Sequence, residues 1–433
     1  MRKRILLLTL VLTLLMVVSL ASIAPSAEYI RDPNGGGGKT RTKSLATSRT
    51  SSARTVTTTV TRTTTETVTT TPTIVSYVSS QETLFVEGSA IRNMRGPVTL
   101  IGVNYFGISV IGTNLPPNVW TYSRQHSVLI AGYGFNVVRL PFYWNYMEIS
   151  PSPSIFLYDY EYMRNFVGAV RTFTAEGLYI IIDAHTVESN EHTSNLRNFL
   201  PVSPSNYRFK ESFFADTGNY SGREHLRKLW VELTNFQLSD GYCLRTDPKV
   251  AGYDILNEPH HETLTESGTT SERQDLHEKW YKIMDYVTAT LRQNNDHHIV
   301  FAEEVPWAGT SVFMNRTLED SNVAYSLHFY RGLDLTSMNV TNNAIDYLRS
   351  QFTGSWGVGN KKQVFPNVPF LVLEFGHLYD DSIGDEKNIW IHNALTIFKQ
   401  AAMAGWTWFM FGCTPDGYIW SKGTFIEELQ TSG

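Results

Sequence analysis

Val250-Ala-Gly-Tyr-Asp-Ile-Leu256 runs straight into Asn257-Glu258-Pro259. Such a run, nearly continuous in apolar and small residues, is what a strand covered on both faces shows. Seven further runs share this character: Thr99–Asn104, Phe135–Leu140, Leu178–Asp183, His298–Ala302, Val323–His328, Pro369–Glu374 and Trp406–Phe411. Between them lie segments such as Tyr158–Glu176, Gly222–Leu238, Glu272–Gln293 and Lys387–Ala404. Their apolar residues recur at three and four, the helical spacing. Eight β/α units over roughly 330 residues have the count and size of a (β/α)8 TIM barrel with loop insertions, an α/β fold. A doubly wound open sheet is the alternative. It usually carries a Gly-rich phosphate loop after its first strand, and Asn104-Tyr-Phe-Gly107 is not one. Ahead of the first run, Leu84-Phe-Val86, a Glu-Gly turn and Ser89–Met94 predict a β-hairpin at the bottom of the barrel.

The chain has 433 residues, with 10 Trp and 22 Tyr. These aromatics exceed what a core needs and suit stacking platforms for sugar rings, although an aromatic-rich core reads the same way. Charge is divided along the chain. Residues 1–80 carry ten Lys/Arg against three Asp/Glu, and the remainder carries 26 against 38. An acidic folded region argues against a nucleic-acid partner, because phosphates need a basic surface. It leaves a neutral polysaccharide open. Two cysteines, Cys243 and Cys413, are too few for a disulfide framework or a Cys-rich zinc site, and at opposite ends of a barrel they would not bridge.

Met1-Arg-Lys-Arg4 precedes an apolar stretch from Ile5 to Ile23 and a small-residue site at Ala24-Pro-Ser26. Residues 1–27 therefore read as a cleaved export signal or, since the stretch can span a bilayer, as a retained membrane anchor. Residues 28–80 are Gly-rich and then Thr/Ser-rich, with Thr making up half of the residues from Thr40 to Thr73. No apolar face is available there to offset ordering entropy, so this segment reads as a disordered stalk. Residues 81–433 are then the folded domain, extracellular, either secreted or tethered to a cell surface. Asn219, Asn315 and Asn339 begin Asn-x-Ser/Thr sequons, which fit an exported chain.

A barrel of this kind assembles its site at the C-terminal ends of its strands. Here those ends carry Asn104, Arg139, Asp183-Ala-His185, Asn257-Glu258, Glu303-Glu304, His328-Phe-Tyr330, Glu374 and Trp406-Thr-Trp408. Any one of them could be a polar strand end facing water; the signal is that all eight strands end this way. Two acids on different strands are the equipment for cleaving a glycosidic bond. One protonates the leaving oxygen and the other attacks the sugar.

The array resembles glycoside hydrolase family 5 over residues 82–425. The matching pieces are Gly102-Val-Asn104, Asn136-Val-Val-Arg139, Asp183-Ala-His185, Leu256-Asn-Glu-Pro259, His328-Phe-Tyr330 and Leu373-Glu-Phe-Gly376. The resemblance implies a monomeric, retaining β-glycoside hydrolase without cofactor or metal. An endo-β-1,4-glucanase of cellulase type is the first choice, and a β-mannanase or other family 5 β-glycosidase the alternative. It further implies Glu258 as acid/base and Glu374 as nucleophile. Arg139, His185, Asn257, His328, Tyr330 and Trp408 are implied as substrate-binding residues, with Asn257 on the sugar 2-hydroxyl and Trp408 beneath the ring. Elementary electrostatics agrees. Two close carboxyls raise the pKa of the less stabilised one, and Arg139 and Tyr330 would keep Glu374 ionised.

Rival readings exist. His260-His261-Glu262 and His297-His298 invite a metal reading, but adjacent strand residues point to opposite faces, and no His-Glu-x-x-His spacing occurs. A non-catalytic carbohydrate-binding protein would need the aromatics without the strand-end acids. Glu303 and Glu304 read as paired surface acids, or one of them as a substrate contact. Trp144, Trp307 and Trp356 lie near long loops and are candidate sugar platforms.

Overall fold

All eight runs are strands, and they close into a barrel. A small sheet comes first: β1 (Phe85–Glu87), β2 (Ala90–Asn93) and β3 (Gly96–Pro97). The barrel strands follow as β4 (Leu100–Tyr105), β5 (Val137–Tyr143), β6 (Tyr179–His185), β7 (Val250–Asp254), β8 (Ile299–Glu303), β9 (Val323–Phe329), β10 (Phe370–Phe375) and β11 (Gly405–Phe411). Each pairs in parallel with its neighbour in the chain, and β11 returns to β4. Closure removes both sheet edges, which rules out the open-sheet alternative. The computed structural model describes residues 80–411 apart from 109–121, 186–208, 210, 262–268, 306–307, 310–313, 331–348, 356 and 377–385. The predicted signal or anchor, the stalk, Asn339, Cys413, Trp307 and Trp356 lie outside the described residues.

The helices are α1 (Arg124–Gly132), α2 (Trp144–Met147), α3 (Tyr160–Ala175), α4 (Glu211–Ala215), α5 (Gly222–Asn235), α6 (Thr270–Gln293), α7 (Gly357–Val364) and α8 (Glu386–Gln400). Their starts are written in the sequence. Asp159 accepts the Glu161 and Tyr162 N–H groups at the head of α3, and Ser221 accepts that of Glu224 in α5. Thr269 and Glu272 form a reciprocal capping box on α6. The buried face of α3, Tyr162, Met163, Phe166, Val167, Val170 and Phe173, has the three-and-four spacing that lays a helix on a sheet.

Two tryptophans on the outer helices tie down strand ends. Trp230 Nε1 of α5 donates to the Ile255 carbonyl at 3.0 Å, and Trp280 Nε1 of α6 donates to the Glu303 carbonyl at 2.8 Å. Part of the aromatic surplus therefore serves the framework, with each indole N–H satisfied.

Inside the barrel the side chains form layers. Leu100, Val137, Tyr179, Ile299, Ala324 and Leu371 lie at the N-terminal end, where Leu84, just ahead of β1, and Ile91 of β2 pack against them. The predicted hairpin is β1 and β2, and β3 adds a third strand to it. Towards the C-terminal ends of the strands the interior turns polar, with Arg139 two beyond Val137, Asp183 four beyond Tyr179 and Glu303 four beyond Ile299. Period-2 alternation thus delivers the strand-end polar residues to one layer at the barrel mouth.

The layers leave no room for a side chain at Gly102 or Gly252. A Cβ at Gly102 would overlap the Val137 carbonyl, and one at Gly252 the Ile299 carbonyl. These obstacles are backbone atoms in the closed ladder and cannot swing aside. Gly102→Ala is therefore expected to destabilise the domain by about 3 kcal/mol, the upper end for overpacking. A thermal midpoint equal to wild type would show that the barrel yields at β4.

Candidate active site

Alternation alone would turn Glu374 outward. Leu371 and Leu373 both pack in the barrel interior, and Phe375 packs outside it. A register shift resolves this: Val372 pairs with Leu327, but Glu374 pairs with His328, so one extra residue is inserted into β10. This bulge turns Glu374 back into the mouth. It also frees the Leu373 carbonyl, which must find other donors. Asn104 Nδ2 donates to it at 2.9 Å, and the Thr407 hydroxyl donates as well. Asn104 at the end of β4 is thus a support for β10.

Arg139 is the hub of the polar layer and is fully buried. Its Nη1 donates to Glu374 Oε1 at 2.6 Å and to Asn104 Oδ1 at 3.0 Å. Nη2 donates to Asn257 Oδ1 at 2.7 Å and to Asp254 Oδ2 at 2.8 Å, and lies 3.2 Å from Asp183 Oδ2 and 3.3 Å from Glu303 Oε1. Four carboxyl groups around one guanidinium cannot all be ionised. Burial, reinforced by the charge of Glu303, pushes Asp254 well above the usual carboxylate range. Asp254 was invisible in the sequence because it reads as one polar interruption in an apolar run; only the ring of neighbours shows its place.

Glu374 also accepts from the Tyr330 hydroxyl at 2.7 Å. Burial alone would raise its pKa, but the charges of His328 and Arg139, then His185, and the Tyr330 hydrogen bond outweigh burial and hold it low. Glu258 is the opposite case. Burial pushes its carboxyl up, and the charges of Glu374 and Glu303 oppose the lowering effect of His328. Its side chain keeps 23% of its surface open at the cleft. Oxygens of Glu258 and Glu374 and a nitrogen of His328 all lie within 4.8 Å of one another. Among the described residues this is the trio whose donor atoms converge closely enough for a cation. Glu303 and Glu374 overcome the burial of His328 and hold its pKa well above the ordinary value, and its Nδ1 is already committed to Glu258 Oε1 at 2.7 Å.

His185 faces the same space. Its Nδ1 is 2.8 Å from Asp183 Oδ2, which fixes the ring and leaves Nε2 as the outward atom. The Asn257 carbonyl oxygen is committed to Arg139, which settles which end of that amide is the donor. Arg139, His185, Asn257, His328 and Tyr330 therefore gather with the two acids.

Three expectations need correction. Trp408 does not line the cleft. It lies on the outer face of β11 with Trp406, 3% exposed, its ring edge-on to Phe375 at 5.1 Å. Thr407 points inward and the register shifts after Trp408, so the half-buried Phe409 meets the cleft instead. Its ring packs on Phe106 at 5.2 Å and on Tyr330 at 5.9 Å. Trp144 is fully buried, with Nε1 donating to Glu148 at 2.7 Å, and presents no platform. Glu303 and Glu304 are not surface acids: both are buried, Glu303 inward beside Arg139 and Glu304 outward beside His277 Nε2 at 3.3 Å. His298 is held by Asp296 at 2.8 Å, and His260 donates to the Glu258 carbonyl at 2.7 Å. Cys243 is buried and free.

Residues 101–413 match the family model described as cellulase, glycosyl hydrolase family 5, and the chain belongs to that family. It is a glycoside hydrolase. Over 375 residues it is 22% identical to endoglucanase N of Pectobacterium atrosepticum, covering 82% of this chain and 67% of that protein. Over 263 residues it is 24% identical to endoglucanase A of Evansella cellulosilytica, covering 59% of this chain but only 41% of that one. Among solved structures, an endogalactoceramidase superposes with a TM-score of 0.56 at 19% identity, covering 80% of this chain and 84% of its own. At that identity the likeness speaks for the fold alone.

Proposed function

We propose that the domain is a retaining endo-β-1,4-glucanase acting by double displacement, with Glu374 as nucleophile and Glu258 as acid/base. The observation that carries this is the approach of one oxygen of each carboxyl to within 4.8 Å of the other. Retaining pairs stand about 5–5.5 Å apart, whereas inverting pairs leave about 6.5–9.5 Å for a water. Glu374, low in pKa and fixed by Arg139 and Tyr330, attacks the anomeric carbon. The C–O bond to the departing sugar breaks, its electron pair goes to the leaving oxygen, and Glu258 supplies the proton. Glu258, now a carboxylate, takes a proton from water. That water attacks the same carbon and frees Glu374. Asn257 and His185 hold the reacting sugar, and Phe409 rather than Trp408 floors its subsite. The endoglucanase names of the relatives support a β-glucan substrate. A polymer is met outside the cell, in keeping with the export signal and stalk read from residues 1–80.

The test uses Glu258→Ala. On β-glucan it should lose activity by about 10²- to 10⁴-fold, the range for general acid–base catalysis. Aryl glycosides with acidic phenols should still be cleaved, and added azide should speed turnover and appear in the product with β configuration. In the wild type, kcat/KM should fall on the acid side at a pH below the ordinary glutamate value, set by Glu374, and on the basic side above it, set by Glu258. An inverted first product by NMR would remove Glu374 as nucleophile. A soluble-polysaccharide panel that includes β-mannan, with product chain length as readout, decides the substrate.

A further inference from the structure

Glu303 closes a ring around Glu258. Its Oε2 accepts the Glu258 backbone N–H at 2.5 Å. Its Oε1 lies 2.9 Å from His328 Nε2, and His328 Nδ1 returns to Glu258 Oε1 at 2.7 Å. One carboxylate thus reaches the acid through the main chain and through an imidazole. The main chain needs holding. Glu258 has φ +45°, a region that a residue with a Cβ seldom occupies. Pro259 behind it favours extended backbone, which adds to the strain. Glu303 grips the N–H side of this residue, and His260 Nδ1 grips its carbonyl at 2.7 Å. Glu303 is itself immobilised. Trp280 binds its carbonyl at 2.8 Å, Arg139 Nη2 stands 3.3 Å from Oε1, and its side chain has no exposed surface, so it is closed off from substrate.

We infer that Glu303 is a positioning residue for Glu258: it holds the acid in its strained backbone conformation and keeps the Nδ1–H of His328 aimed at Glu258 Oε1, so that the transferable proton sits on Oε2. The inference rests on Glu258 being the acid/base. Burial opposes a charged imidazole at His328, and the carboxylates of Glu303 and Glu374 overcome it. Glu303 stays ionised in turn. Burial would raise its pKa, but His328 and then Arg139 hold it down to about 2.

Glu303→Gln keeps the volume but offers one oxygen to two donors, so its amide N–H2 must face either the Glu258 N–H or His328 Nε2. Glu303→Asp keeps the charge on a shorter arm. Both are measured beside wild type and Glu258→Ala on soluble β-glucan and on aryl β-cellobiosides of graded phenol acidity, with circular dichroism as a check on folding. Glu303→Gln should lower kcat about 100-fold on β-glucan, with KM changed less than about twofold. The loss should shrink below about threefold on the dinitrophenyl substrate, which needs no proton. Glu303→Asp should recover about tenfold of the loss.

A loss equal across all leaving groups, or wild-type kcat in Glu303→Gln, would overturn the inference. If Glu303→Gln does not fold, Glu303→Asp decides: a steeper leaving-group dependence than wild type supports it, and an unchanged one overturns it. If Glu258→Ala itself shows no leaving-group dependence, the acid/base assignment fails. Dependence in Glu258→Ala with a uniform loss in Glu303→Gln leaves that assignment standing and removes only the role of Glu303.

Discussion

Glu374→Ala should lower kcat by at least about 10⁴-fold on every substrate, activated or not, as expected when a group that acts as a unit with its partners is removed. The side chain is lost at the point where the covalent bond to the sugar would form, and leaving-group activation cannot replace a missing nucleophile. This uniformity separates Glu374 from Glu258, whose removal should spare activated substrates. The fold should survive the change. Arg139 keeps Asp183, Asp254 and Glu303 as partners when Glu374 is gone, so the thermal midpoint should fall by no more than the stability that ionised Glu374 contributes. Residual cleavage of an activated aryl glycoside above about 1% of wild type would point to another nucleophile.

Arg139→Met should be the most destabilising single change in the domain, costing about 3–5 kcal/mol as a buried ionic cluster loses its cation. The guanidinium serves β4, β7, β8 and β10 at once through Asn104, Asp254, Glu303 and Glu374. Arg139→Lys should recover only part of this, because a point charge cannot span a planar fork. The pH dependence has a definite sign. Glu303 and Glu374 have folded pKa values below their ordinary 4.5. The stability they contribute is therefore present above pH 4.5 and is lost as pH falls through the folded values, near 2 for Glu303. The gap in thermal midpoint between wild type and Arg139→Met should be full at neutral pH and narrow as the solution is acidified toward pH 2. A gap that widens on acidification would mean that Arg139 acts through packing.

Much of this site was legible in the chain. Asn257-Glu258-Pro259 and Glu374 close apolar runs, and polar groups at the ends of consecutive buried strands already point to a barrel mouth. Trp408 shows where local reading fails. Trp406-Thr407-Trp408 puts both indoles on one face, but which face looks inward is set by the pairing of β11 with β4. That pairing spans some three hundred residues of sequence, and it turns Thr407 in and the tryptophans out. Glu303 read as a surface acid for a similar reason: nothing near it in sequence reveals Arg139, His328 and the Glu258 N–H converging on it from three other strands.

The sequence by itself determined the number and order of the strands, the helices between them, and the two acids at the ends of β7 and β10, because periodicity and strand-end polarity are properties of short segments. Tertiary structure alone decided which way those residues face. Barrel closure fixes the inward side of each strand, and the bulge at Leu373–Glu374 shifts that phase by one residue so that the second acid enters the mouth. It also decided the protonation pattern. Whether a buried carboxyl is charged depends on the sum of every charge within a few ångströms, and Asp254 and Glu258, Glu303 and Glu374 come from three different stretches of the chain.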